Sequence, residues 1–244
     1  MGRKIAILIL IALAYTPWAW SLSTVSPQTY LVCVGIADYP GNNMDLRVSA
    51  KDAKTIAEVF SASHNTEAHT LVNNAAKLSK VLTTLRTTFA KARPNDTVIF
   101  FFSGHGSPGT FLCYDGGLQY QQLFNILKDC RAKNKFIIAD ACYSGKMRTG
   151  RKRSPRKYNP DNIVLFLSSR TNEKSRETGF SNSLFTMYLE RGLRGGADAN
   201  KDKVVTAREI YKFVHDGITQ IVDGKQHPVM WGRFNPNTPI ISWR

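Results

Sequence analysis

The sequence has little of several things that would otherwise sort it at once. Four cysteines occur in 244 residues, too few to staple a fold of this size, so a hydrophobic core has to hold it. Acidic residues are scarce: 18 Asp and Glu stand against 33 Lys and Arg, a formal charge of +15. Such an excess suits anionic partners, but by itself it speaks to solubility and weak adhesion. No internal repeat or low-complexity tract interrupts the chain, and its length favours one domain of α/β size over two small ones. No stable membrane span is expected either, because the longest apolar run, Ile5 to Tyr15, is short and Pro17 interrupts its extension.

That run has another reading. Arg3 and Lys4 precede it, and Ala19-Trp20-Ser21 follows with small residues where a signal peptidase reads them. Residues 1–21 are therefore expected to be a secretory signal, with an uncleaved anchor as the alternative, leaving 22–244 as a secreted or periplasmic domain. Without Arg3 and Lys4 the charge of +15 falls to +13, and seven basic residues lie in the twelve from Lys146 to Lys157. The rest of the chain is only mildly basic, which argues against a broad face for specific nucleic acid. Export implies an oxidising compartment, where Cys113 and Cys130 are a possible pair. Cys33 sits in an apolar strand pattern and reads as core, whereas Cys142, in a loop between Asp140 and Gly145, asks for a chemical reason.

Apolar runs and helical spacing alternate along the chain. Tyr30 to Ile36, Asp96 to Ser103, "KFIIAD" and "NIVLFLSS" lack polar alternation, as strands buried on both faces do, and "AHTLV" is a weaker strand. Between them, "DLRVSAKDAKTIAEVF", "LSKVLTTLRTTFAKA" and "QYQQLFNILKDC" carry helical spacing, and "SLFTMYLERGL" and "TAREIYKFVHDGI" follow as further helices. A hairpin is expected around Thr110 to Leu118, and "PIISW" as a closing edge strand. The pattern predicts a mostly parallel sheet of about six strands with helices on both faces, its chemistry in loops at the strand carboxyl ends.

Two of those loops carry reactive groups. One strand runs into Ser103-Gly104-His105-Gly106 and another into Asp140-Ala141-Cys142. In a parallel sheet both open on the same edge. A thiolate attacks a carbonyl, and a neighbouring imidazole takes its proton and later protonates the leaving amine. The N–H groups of Gly106 and Cys142 would face the developing oxyanion. No carboxylate is evident to orient His105, so a dyad is expected. The histidine alone reads more simply as a turn residue, and "SGHGSPG" lacks the lysine and spacing of a phosphate loop, which leaves an α/β nucleotide binder as a minor alternative.

The segments "YLVCVGIADYPG", "SAKDAKTIAEVF", "FFSGHG", "DACYSG" and "GGADANKDKVVTAREIYKFV" resemble caspase-like cysteine peptidases, specifically bacterial proteins of the metacaspase side. The resemblance runs from Tyr30 to the end and implies the caspase–haemoglobinase fold, with His105 as base and Cys142 as nucleophile. It also implies an S1 pocket. Caspases that cut after aspartate carry glutamine two residues before the cysteine, whereas this chain has Asp140, which pairs with Lys or Arg and repels Asp. Metacaspases add an aspartate from the first long helix and a serine before the His-Gly pair. The matching positions are Asp52 and Ser103, with a looser match at Ser49; by spacing alone Asp52 reads as an exposed helix carboxylate. Against basic specificity, Arg47, Arg170 and Arg176 lie on segments near the expected site and would favour acidic substrates. The expected partners are peptides or proteins with Arg or Lys at the cleaved bond, and the expected state is a monomer; an inactive, basic binding module is the rival.

No cofactor is required by this chemistry. Asp198, Asn200, Asp202, Thr206 and Glu209 do occupy positions one, three, five, nine and twelve of a calcium loop, but Lys203 stands where glycine belongs. Ca²⁺ binding there competes with a helix-capping turn in which Thr206 and Glu209 are box partners. The basic stretch begins four residues after Cys142, where relatives carry the loop between their two halves. Bonds after Lys146, Arg148, Arg151 or Arg153 would suit an Asp140 pocket, so residues 146–160 are expected to be an autocleavage site.

Overall fold

The uninterrupted apolar runs become the centre of the sheet. The computed structural model describes residues 26–63, 65–141, 162–169 and 181–243. In chain order the elements are β1 (Thr29–Gly35), α1 (Ser49–Ser61), β2 (Thr66–Val72), α2 (Leu78–Phe89) and β3 (Thr97–Gly104). A small meander follows, β4 (Gly106–Ser107), β5 (Thr110–Leu112) and β6 (Gly117–Gln119), and then α3 (Tyr120–Asp129), β7 (Asn134–Ala141) and β8 (Ile163–Leu167). The last elements are α4 (Leu184–Arg191), β9 (Val204–Thr206), α5 (Ala207–Ile221), β10 (Val229–Trp231) and β11 (Pro239–Ser242).

Six strands form the main sheet in the order β10-β8-β7-β3-β1-β2. All neighbours run parallel except β10, which lies antiparallel on β8. Successive side chains alternate between two separate cores. Tyr30, Val32 and Val34 of β1 and Val98, Phe100 and Phe102 of β3 pack with α2 and α3. Leu31 and Cys33, with Ile99 and Phe101, pack with α1, α4 and α5 on the other face. The expected α/β architecture is therefore the observed one.

Three local expectations are corrected. The run "PIIS" does not close the main sheet; β11 pairs with β9 in a separate two-stranded ribbon. The antiparallel edge is β10, whose three half-buried residues after Pro228 are too few to show a period. The first helix starts at Ser49, not near Asp45, because Tyr39 to Asp45 is drawn into a loop closed by the Leu46 N–H on the Ala37 carbonyl at 2.7 Å. Cys113 and Cys130 are both buried free thiols and do not pair.

One contact fixes how far α1 descends on the sheet. A Cβ at Gly35, the last residue of β1, would stand 2.3 Å from the Ser49 carbonyl oxygen and 2.6 Å from the Ala53 Cβ. Only glycine lets the first turn of the helix rest on the strand end. Gly35→Ala is expected to lower the unfolding free energy by about 1–3 kcal/mol, read as a lower urea midpoint; an unchanged midpoint would show that the helix adjusts freely.

Candidate active site

The strand register brings three residues abreast at the carboxyl edge. Gly35 of β1 pairs with Ser103 of β3, and Ser103 pairs with Asp140 of β7. Alternation along the strands puts Ser103 and Asp140 on the face that α1 covers, in step with Phe101 and Ile138. The helix lowered onto Gly35 delivers Asp52 to the same place. Asp52 is fully buried, and its carboxylate accepts the Ser103 hydroxyl at 2.9 Å, the Asn182 side-chain amide at 2.9 Å and the Ser183 N–H at 3.0 Å. The exposed-carboxylate reading of Asp52 is thereby overturned. Ser49, one helical turn earlier, is buried as well.

Asn182 and Ser183 were not foreseen. Ser183 leaves a weak trace, since it is the N-cap of α4 and accepts the Thr186 N–H at 3.0 Å. Asn182, which also bonds the Thr55 hydroxyl at 3.1 Å, lies 130 residues from Asp52 and has no local signature.

Burial and the neighbouring Asp140 charge push the Asp52 carboxyl up to about 7, against the lowering effect of its three donors. Two carboxyl groups thus share a buried corner beneath the strand ends.

His105 follows β3 directly. A carbonyl only accepts, so the 2.7 Å contact between His105 Nε2 and the Met44 carbonyl requires the proton on Nε2 and leaves Nδ1 as the acceptor. The orienter is therefore main chain rather than a carboxylate, which side-chain patterns do not reveal. The His105 N–H donates to the Tyr39 hydroxyl at 2.9 Å, and that hydroxyl donates to the Leu112 carbonyl at 3.0 Å. The Leu112 N–H donates to the His105 carbonyl at 2.9 Å. Gly106 pairs with Phe111 at the next, non-hydrogen-bonded position, so its N–H is directed away from β5.

Gly104, before His105, pairs with Ala141, before Cys142. Cys142 itself lies outside the described residues, as do residues 1–21, the stretch 146–160, Arg170 and Arg176; Arg47 is exposed on the loop before α1. Burial pushes the thiols of Cys33, Cys113 and Cys130 up, which removes them as nucleophiles.

The loop at Asp198 takes the form of the capping turn. Asp198 and Asn200 accept the Asp202 N–H at 3.2 and 3.1 Å, and Glu209 is engaged by the Thr206 N–H at 2.9 Å. Glu209 thereby takes part in the capping box of α5. Among the described residues no group of three or more His, Cys, Asp or Glu is placed to hold a metal ion, and no helix is long and apolar enough to cross a membrane.

A parallel sheet with a histidine loop and a cysteine-bearing strand end side by side is the plan of a caspase-like domain. The caspase-domain family model matches residues 29–236, and the chain belongs to that family of cysteine peptidases. Among solved structures, protein GSU0716 from Geobacter sulfurreducens superposes with a TM-score of 0.69 at 18% identity, over 89% of this chain and 100% of that one. Caspase-1 from Spodoptera frugiperda superposes with a TM-score of 0.66 at 14% identity, over 89% of this chain and 91% of that one. No curated protein matches the sequence.

The Asp52 environment has a measurable consequence. Between the ordinary aspartate value of 3.8 and about 7, the folded chain holds a proton that the unfolded chain has released. The unfolding free energy therefore falls as pH rises through that window. Asp52→Asn can keep all three bonds, its oxygen accepting from Asn182 and Ser183 and its amide donating to Ser103. Denaturant melts from pH 5 to 7.5 should show a flatter pH dependence for Asp52→Asn; equal slopes would remove Asp52 from that window.

Proposed function

We propose that the chain is a cysteine endopeptidase that cleaves after Arg or Lys. The observation that carries it is the Gly104–Ala141 pairing, because His105 and Cys142 each lie one peptide bond beyond adjacent positions of neighbouring strands. Consecutive Cα atoms are about 3.8 Å apart, which keeps the two residues at one edge. His105 Nδ1 takes the Cys142 proton, and the thiolate adds to the substrate carbonyl. The Gly106 and Cys142 N–H groups stabilise the oxyanion. The imidazolium then protonates the departing amine, and water attacks the thioester to release the acid and restore the thiol.

Specificity for a basic residue follows from Asp140 and Asp52. A guanidinium or ammonium entering beside them offsets the repulsion that raises Asp52 and brings the charge that desolvation disfavours. An acidic substrate residue would add a third negative group to the same corner. Asp140 is the direct contact in this reading, while Asp52, fully buried with its three donors, supplies charge and holds the pocket wall; Ser103 and Ser49 complete it.

In the same proposal residues 1–21 export the chain, 22–244 act as a monomeric domain in the secreted or periplasmic space, and the basic stretch is the enzyme's own substrate. Its bonds after Lys146, Arg148, Arg151 and Arg153 match the pocket's charge preference.

Fluorogenic peptides ending in Arg, Lys or Asp, offered to wild type and Cys142→Ala, test the reading together with intact masses of both. Wild type should cleave the Arg and Lys peptides and yield fragments cut within 146–157, while Cys142→Ala stays whole and inactive. Preference for Asp would sink the pocket assignment, activity in Cys142→Ala the mechanism, and a fully active uncut chain the autocleavage.

A further inference from the structure

The Tyr39 hydroxyl occupies an unusual place. In an antiparallel ladder the Leu112 N–H to His105 carbonyl bond is normally matched by a reciprocal bond from the His105 N–H to the Leu112 carbonyl. Here that bond is missing. The Tyr39 hydroxyl stands in the gap, accepting from His105 at 2.9 Å and donating to Leu112 at 3.0 Å. One side of the rung is closed directly and the other is held open by the width of a hydroxyl, so the strand is splayed at His105.

Several features serve this insertion. Gly104 makes room for it, since a Cβ there would lie 2.8 Å from the Tyr39 hydroxyl oxygen. The phenol is buried at 3% exposure and lies against the imidazole, with ring centroids 5.0 Å apart. Its own N–H is tied to Asp45 at 3.0 Å, one residue after Met44, whose carbonyl receives His105 Nε2. The far end of the same loop is pinned by Asn73, which accepts the Ala37 N–H at 3.0 Å. Tyr39 therefore holds His105 by its main chain while the loop that carries Tyr39 holds the imidazole.

We infer that Tyr39 is a positioning residue for His105, setting both the direction of Nδ1 and the tilt of the adjoining Gly106 N–H. The inference rests on the proposed Cys-His chemistry. Without the hydroxyl the rung can close, pulling His105 toward β5 and away from the Met44 carbonyl. A misplacement of that kind lowers the chemical step without touching the specificity pocket on the opposite face of the sheet.

Tyr39→Phe keeps the ring and deletes the insertion. It is expected to lower kcat for an Arg peptide about 10- to 100-fold, with KM within about twofold of wild type and the melting temperature little changed. A second reading needs no turnover: the pH profile of Cys142 alkylation by iodoacetamide, located by mass mapping, with His105→Ala as the unassisted thiol. The Tyr39→Phe profile should move from the wild-type one toward that of His105→Ala. If Tyr39→Phe does not fold, Gly104→Ala displaces the hydroxyl instead and should give the same two changes. A folded variant that keeps the wild-type kcat and profile overturns the inference alone. A wild-type profile that already coincides with His105→Ala overturns the dyad, and the inference with it.

Discussion

Three parallel strands that end level with one another are the constraint on which the site depends. Gly35, Ser103 and Asp140 stand abreast on β1, β3 and β7, and side-chain alternation assigns Ser103 and Asp140 to the face beneath α1. One further position along β3 and β7, Gly104 pairs with Ala141, and His105 and Cys142 are the next residues in the sequence. Tyr39, which receives the His105 N–H, belongs to the core on the other face of the sheet. A register slip of a single residue would turn Ser103 and Asp140 away from α1.

The Asp52–Asp140 corner is an energetic liability for the fold. A fully buried Asp52 beside Asp140 is not what stability alone would select, and three hydrogen-bond donors offset only part of the desolvation. In the proposed function, burial is also what would give that pair leverage on a cationic substrate residue, because charges interact more strongly where water is excluded. The loop around Tyr39 shows a related compromise. A ladder bond is given up so that a hydroxyl can fix the backbone of His105.

Much of this was legible in the sequence where the signal was local. Unbroken apolar runs ending in Ser103-Gly104-His105 and in Asp140-Ala141-Cys142 announced parallel strands with chemistry at their ends. Asp52 was different: helical spacing alone reads it as a solvated carboxylate, and only the family resemblance gave it a place in the expected S1 pocket. Tyr39, Met44 and Asn182 were invisible, since their bonds span 66, 61 and 130 residues and one of them uses a main-chain carbonyl. The edge strand was misassigned for the opposite reason. "PIIS" has strand composition, but composition does not choose between β9 and the main sheet, and the three residues of β10 carry too little pattern to compete.

The central claim is that Cys142, served by His105, attacks carbonyls beside a basic residue. A peptide with a terminal arginine and an acyloxymethyl ketone in place of the scissile bond reports on this directly, since it alkylates only a nucleophile that the pocket has positioned. Intact mass and peptide mapping should show one adduct, on Cys142, formed far faster than with the matching aspartyl reagent and lost in His105→Ala. An adduct on another residue, or equal labelling by the arginyl and aspartyl reagents, would contradict the account.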